Sequence, residues 1–180
     1  AGRLGSEVVR HLAAQGHEVS ATDKAWRADL PVRIQVADLL QQASLYNILE
    51  GSEALIHLGN HPSFWGRDGQ RIFNENVQMN MNAFQAAREV GVKKIFFASS
   101  IQAISGAWSW WDDAKRESQL PYLPLDGDVP ANPGNPYGLS KQAGEIMLAY
   151  FSKQEGLTCR AARFPSLTTS DMMERWGKRG

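Results

Sequence analysis

Apolar and polar residues follow two rhythms along this chain, and the rhythms alternate from the first residues to the last. Residues 6–15 carry Val8, Val9, Leu12 and Ala13 on one helical face, and Gly16 follows as a C-terminal cap. Residues 17–21 predict a short strand ended by Asp23, and residues 32–36 alternate apolar with polar before Asp38. Residues 40–49 predict a helix stopped by Gly51, and residues 54–58 a buried strand. Residues 72–90 predict a long helix closed at Gly91, followed by a buried strand over 95–98. A long connection then leads to Pro136, which suits a helix start. The helix from Tyr137 to Phe151 carries apolar residues at Leu139, Ala143, Ile146, Met147 and Tyr150, and residues 158–164 predict a last strand.

Helices alternating with short apolar strands indicate an α/β fold, a parallel sheet with helices on both faces. In such sheets ligands bind beyond the C-terminal ends of the strands. Asp23, Asp38, residues 58–60, Ser100 and residues 164–166 all follow predicted strands, so one rule gathers them on one edge. The chain of 180 residues suits one domain, with 43% hydrophobic and 21% charged residues. Its formal net charge of zero gives no invitation to nucleic acid or to an anionic membrane. No apolar run approaches the ~20 residues of a membrane span. Cys159 is the single cysteine, so no internal disulfide forms, and a reducing, cytoplasmic compartment is expected.

The densest chemistry lies in Asn135-Pro136-Tyr137-Gly138-Leu139-Ser140-Lys141. On a helix Tyr137 and Lys141 project from one face, one turn apart. An ammonium beside a phenol favours the phenolate and lowers its pKa, which makes the pair fit for proton transfer between alcohol and carbonyl. The same spacing also occurs on ordinary amphipathic helices. Ser99-Ser100 could present a hydroxyl to a substrate oxygen or merely end a strand. Gly2-x-x-Gly5 before a helix lets a backbone approach a pyrophosphate, and any tight helix entry uses glycine too. Asp23, about twenty residues on, is placed to accept from ribose hydroxyls or to sit in a solvated turn. Its charge favours NAD over NADP, with Lys24 and Arg27 keeping NADP as a minority option. Asp38 reads as a turn acid or as an acceptor for an adenine amino group. Asn76 reads as cofactor-facing or exposed, and Asn80 and Asn82 argue for exposure of that helix. His57 and His61 are separated by helix-breaking residues, and no cluster supports a metal. Trp108, Trp110 and Trp111 in the long connection suit packing or a pocket wall, and Asp112-Asp113 a solvated turn.

Gly2-x-x-Gly5, Asp23, Asp38-Leu39, Asn76-Val77, residues 97–100 and residues 136–141 stand in a telling order. Together they resemble the extended short-chain dehydrogenases/reductases, the NAD-dependent epimerase/dehydratase family, over nearly the whole chain. The resemblance implies a Rossmann-like doubly wound sheet and a catalytic trio. Tyr137 is then the acid/base, Lys141 its pKa-lowering neighbour and ribose ligand, and Ser100 the group that orients the reacting oxygen. It further implies NAD contacts from Gly2 and Gly5 (pyrophosphate), Asp23 (ribose), and Asp38 with Leu39 (adenine). Leu58, Gly59, Asn60, Asn76 and Phe164 complete the expected cofactor set.

The family pattern also has a first buried strand, a third glycine and a C-terminal substrate domain. Residues 1–180 are therefore expected to be a partial NAD(P)-binding domain with apolar strand edges exposed. Ile101-Gln102 stands where sugar-nucleotide dehydratases place Asp-Glu, which argues against that elimination route. Ser105-Gly106 replaces a Tyr-Gly pair, and residues 163–166 replace a stretch containing Asn. The expected activity is an NAD-dependent epimerase or dehydrogenase of a sugar or sugar nucleotide. The alternatives are a non-catalytic dinucleotide-binding or sensing module and a reductase of non-sugar carbonyls. A homodimer through residues 72–90 and 137–153 is the expected assembly.

Overall fold

The computed structural model describes residues 2–62, 68–107 and 121–168. Trp108, Trp110, Trp111 and Asp112-Asp113 lie outside the described residues. The elements are α1 (Arg3–Ala14), β1 (Ala21–Asp23), β2 (Ile34–Val36), α2 (Ala43–Leu49), β3 (Ala54–His57), α3 (Gly69–Glu89), β4 (Lys94–Ser100), α4 (Pro136–Glu155) and β5 (Thr158–Phe164), with a 3-10 segment Ile101–Ala107 after β4. Every strand pair is parallel, so the α/β class expected from the alternating rhythms is what forms. Among the described residues no helix is long and apolar enough to cross a membrane.

Boundaries moved where capping outweighs periodicity. α3 starts at Gly69 rather than Ile72 because Asp68 caps it, its side chain accepting from the backbone N–H of Gln70 at 2.9 Å. β1 begins at Ala21 rather than His17 and pairs with β2 in the register Ala21–Ile34. α4 is capped by Asn135, whose Oδ1 accepts from Gly138 N–H at 2.8 Å, and ends at Gly156 in the left-handed conformation (φ +71°).

The strands form two sheets: β1–β2, and β3–β4–β5 in that order. This departs from one continuous sheet. β1 and β3 share no ladder, and a cleft of about 2300 Å³ is lined by residues of both. Apolar strand residues are left near water, with Val36 60% and Ile56 39% exposed.

The main core lies where α3 and α4 cover β3–β4. Phe84 of α3, Phe97 of β4 and Phe151 of α4 are completely or almost completely buried, and Phe84 meets the other two rings edge-on at 5.7 and 5.9 Å. Gly144 lets α4 come this close: a Cβ there would stand 2.6 Å from the Phe97 ring and 2.8 Å from Asn80 Nδ2. A smaller cluster of Val9, Ala21 and Ile34 joins α1 to β1–β2.

Two helix faces are the reverse of what composition suggests. Asn76 and Asn80 of α3 are fully buried, against the expected exposure, because they fall on the same face as Ile72, Met79, Ala83 and Ala87. Conversely, α4 turns Leu139, Ile146 and Tyr150 outward and buries Tyr137, Ser140, Lys141, Gly144, Leu148 and Phe151. Phe84→Ala is expected to cost about 3–5 kcal/mol through the cavity it leaves, read as a lower midpoint in urea unfolding.

Candidate functional site

β4 and α4 bring the chemical residues together. Ser100 is the last residue of β4, Tyr137 lies in the first turn of α4, and Lys141 one turn further along. All three are buried to 9% exposure or less and line the cleft between the sheets. Their spacing depends on Gly138, since a Cβ there would run into the carbonyl oxygen of Gln102. Asn135 reinforces that contact by donating from Nδ2 to Gln102 Oε1 at 2.8 Å. The start of α4 is thus clamped to the turn that follows Ser100.

Burial raises the Tyr137 phenol above its ordinary pKa, and a hydrogen bond from Ser100 opposes the shift without cancelling it. The expected lowering by Lys141 does not appear in this arrangement. Burial brings Lys141 itself from 10.5 to about 7, partly opposed by the charge of Glu145, so its ammonium is weakly held near neutrality. The Lys141 Nζ stands 5.6 Å from the Tyr137 ring centre and 4.9 Å from that of Phe97. It donates to Asn60 Oδ1 at 2.8 Å and to the Ala98 carbonyl at 2.7 Å.

The expected cofactor residues separate into two groups. Gly2, Gly5, Asp23, Leu39, Leu58, Gly59, Asn60 and Phe164 line the same cleft as the trio. Gly59 lies against the end of the Leu39 side chain, which would have to shift to admit a Cβ. Asp38 and Asn76 do not line it. Asp38 is occupied by the backbone N–H of Leu40 at 3.0 Å and by Lys24 Nζ at 3.1 Å. Asn76, contrary to a cofactor-facing role, ties α3 to α4: Nδ2 donates to Ser140 Oγ at 3.0 Å, and Oδ1 accepts from His61 N–H at 2.7 Å.

A dinucleotide fits this cleft by the chemistry of its lining. The start of α1 at Gly2 and Gly5 offers backbone N–H groups toward a pyrophosphate, and space is open around Gly2, where a Cβ would meet nothing within 4 Å. The Asp23 carboxylate ends β1, at the strand tip where ribose hydroxyls are accepted. Two cations near Asp23 are engaged by acids, Lys24 with Asp38, and Arg27 with Asp29 through Nε at 2.8 Å and Nη2 at 2.6 Å.

Residues that sequence reasoning missed stand behind the trio. His57 is sandwiched by aromatic rings, edge-on to Phe84 and stacked on Phe97, and hydrogen-bonds Asn80 Oδ1 at 2.9 Å. Glu145 receives Arg163 Nε and Nη2 at 2.9 and 2.8 Å together with Ser99 Oγ at 2.5 Å. The signal for Asn80 was its spacing from Ile72, Asn76 and Ala83, which is helical and one-sided.

The description "NAD dependent epimerase/dehydratase family" matches residues 1–171, and the chain belongs to that family. It is 28% identical to an NAD-dependent glucose-6-phosphate dehydrogenase of Haloferax volcanii, covering 93% of this chain and 66% of the relative. It is also 28% identical to a uronate dehydrogenase of Pseudomonas syringae, covering 98% and 62%. The solved structure of a UDP-glucose 4-epimerase from Brucella ovis in complex with NAD superposes with a TM-score of 0.76 at 26% identity, covering 91% of this chain and 49% of that one. The chain therefore spans between about half and two thirds of these relatives' lengths. Their likeness is to a Rossmann-like fold with the parallel order described above.

His57 gives the site a pH dependence. Burial lowers its pKa from 6.5 to about 4, outweighing the hydrogen bond to Asn80 that favours the charged form, while the charge of Lys141 adds to the lowering. Between those values the unfolded chain takes up a proton that the folded one refuses. The stability this group confers is full above pH 6.5 and falls away as pH drops towards 4, by on the order of 3 kcal/mol. Urea unfolding at several pH values should show that loss in the parent protein and a flatter profile in His57→Gln.

Proposed function

We propose that this chain is the NAD-binding and catalytic unit, residues 1–180, of a dehydrogenase or epimerase acting on a sugar or sugar nucleotide. The observation that carries this is the meeting of Ser100, Tyr137 and Lys141 on the wall of a cleft also lined by Gly2, Gly5 and Asp23. The names of the relatives, a glucose-6-phosphate and a uronate dehydrogenase and a UDP-glucose epimerase, support the substrate class. Engagement of Lys24 and Arg27 by acids supports NAD over NADP.

In this reading Gly2 and Gly5 hold the pyrophosphate, Asp23 the adenosine ribose, Leu39, Leu58 and Gly59 the adenosine side and length of the cofactor, and Lys141 the nicotinamide ribose. NAD supplies the acceptor for hydride when bound. The Ser100 hydroxyl orients the reacting oxygen; in the oxidative direction the Tyr137 phenolate takes the alcohol proton at Oη as the carbonyl forms, and in the reductive direction the neutral phenol gives its proton to the forming alcohol. The neutral phenol of Tyr137 favours the reductive direction. Loss of its proton becomes easier as a charged ammonium is held beside it. Asp38 and Asn76, expected beside the cofactor, hold Lys24 and Ser140 in this structure.

Tyr137→Phe in the complete protein is expected to lower turnover by about 10²–10⁴-fold while leaving NADH binding, read by fluorescence, within a small factor of the parent. Unchanged turnover would remove the catalytic role and leave a dinucleotide-binding module. The outward stripe of Leu139, Ile146 and Tyr150 on α4, with Met81 of α3 also exposed, supports a homodimer. Ile146→Glu should then shift the sedimentation coefficient from that of a dimer to that of a monomer.

A further inference from the structure

Behind the site runs a file of polar groups whose order leaves little freedom. An ammonium only donates, so Asn60 must turn Oδ1 towards Lys141. Its Nδ2 then faces Asn80 and donates to Asn80 Oδ1 at 2.9 Å. Asn80 therefore presents an acceptor to His57, and His57 Nε2, 2.9 Å from the same oxygen, must carry the hydrogen. With Lys141 in its ammonium form, the direction of every bond follows from it. Asn80 Nδ2 is left buried with no hydrogen-bond partner among the described residues. An unmet donor in an aromatic core is costly, and here it accompanies an oxygen that serves both Asn60 and His57.

We propose that Asn60 is a positioning residue for Lys141: its side-chain oxygen, aimed by Asn80 and His57, sets where the lysine nitrogen sits and how firmly it keeps its proton. The proposal rests on the role given to Lys141 above but differs from the cofactor contact expected for Asn60, since both polar ends of that side chain are turned to protein groups. Lys141 has three donors as an ammonium; Asn60 and the Ala98 carbonyl take two, and one remains. Among the described residues, removing Asn60 Oδ1 withdraws one of two fixed acceptors around the nitrogen of a residue that is 4% exposed. The ionisable groups facing that nitrogen are few: Tyr137 and Glu145 on its own helix, the latter favouring the ammonium, and His57 from β3. α3 contributes the neutral amide of Asn80 to the file, and β4 the Ala98 carbonyl.

The test is the titration of Lys141 followed by the ¹³Cε resonance of labelled lysine, assigned with Lys141→Met, in the parent protein, Asn60→Leu and Asn60→Asp. Asn60→Leu removes the acceptor at similar size and should move the titration down by about one to two pH units. Asn60→Asp keeps an acceptor and adds charge, and should move it up by at least as much. A merely structural role for Asn60 would change thermal stability and leave the titration of Asn60→Leu within a few tenths of a unit; that result overturns the proposal. Should Asn60→Leu fail to fold, the smaller Asn60→Ala decides by the presence or absence of the downward shift, and Asn60→Asp serves to show that the lysine resonance responds to residue 60. NADH binding is read in the same samples. If the parent binds no NADH while the lysine titration still follows residue 60, the positioning stands and the enzymatic reading falls. If NADH binds and the titration ignores residue 60, the outcome is the reverse.

Discussion

A lysine nitrogen buried beneath two helices is the constraint on which the rest of this structure turns. Charge taken out of water must be met by fixed acceptors, and Lys141 finds two, a carbonyl in β4 and an amide oxygen just after β3. Meeting it requires α4 to lie close to the sheet, which requires Gly144 against Phe97, and requires the parallel register that sets His57, the last residue of β3, beside Phe97, so that Asn60 and the Ala98 carbonyl reach one nitrogen. The aromatic core and the polar file are thus two sides of one arrangement. Phe97 packs beneath the lysine with one face and against His57 with its neighbourhood, so hydrophobic packing and hydrogen-bond direction are specified by the same residues.

The cleft follows from topology as much as from any side chain. Parallel strands place their C-terminal ends together, and here those ends carry Asp23, residues 58–60, Ser100 and Phe164. The helix starts supply the remaining walls, α1 at Gly2 and Gly5 and α4 at Tyr137. The polar groups that line the cleft therefore come largely from element termini, where backbone groups are unspent, while element interiors fill the core.

Much of this was legible in the sequence, for physical reasons that can be named. The strands over 95–98 and 158–164 and the helices over 72–90 and 137–151 were marked by long, one-sided apolar patterns, and they formed with boundary shifts set by caps such as Asp68. The trio was legible because strand-end and i, i+4 rules place residues without knowledge of packing. What was not legible was which face each helix would bury. α4 carries its apolar stripe outward because its inner face is given over to Tyr137, Ser140, Lys141 and Gly144, so periodicity located the stripe but not its direction. Asn76 and Asn80 were misjudged because residue type was weighed above position: Asn82, two places on, is of the same type and lies partly exposed. The file through Asn60, Asn80 and His57 joins residues far apart in sequence, and no local pattern reports such a contact. Asp38, placed correctly at a strand end, had its carboxylate taken by Lys24, an outcome decided by a side chain from a neighbouring loop.

Ser99 and Ser100 are identical neighbours at the end of β4, yet the pleat aims their hydroxyls at different partners on α4, Glu145 and Tyr137. Ser99 joins a clasp in which Glu145 of α4 is gripped by Arg163, the residue directly beside Ser99 in β5. The Ser100 hydroxyl is hydrogen-bonded to Tyr137 and accepts from the Gln102 N–H at 3.2 Å. One dipeptide is therefore divided between two joints to the same helix. Exchange of either serine for alanine is the same chemical edit, but the first loosens the grip on Glu145 and the second frees the start of α4 at Tyr137, so damage at this position is read correctly only when the two hydroxyls are counted separately.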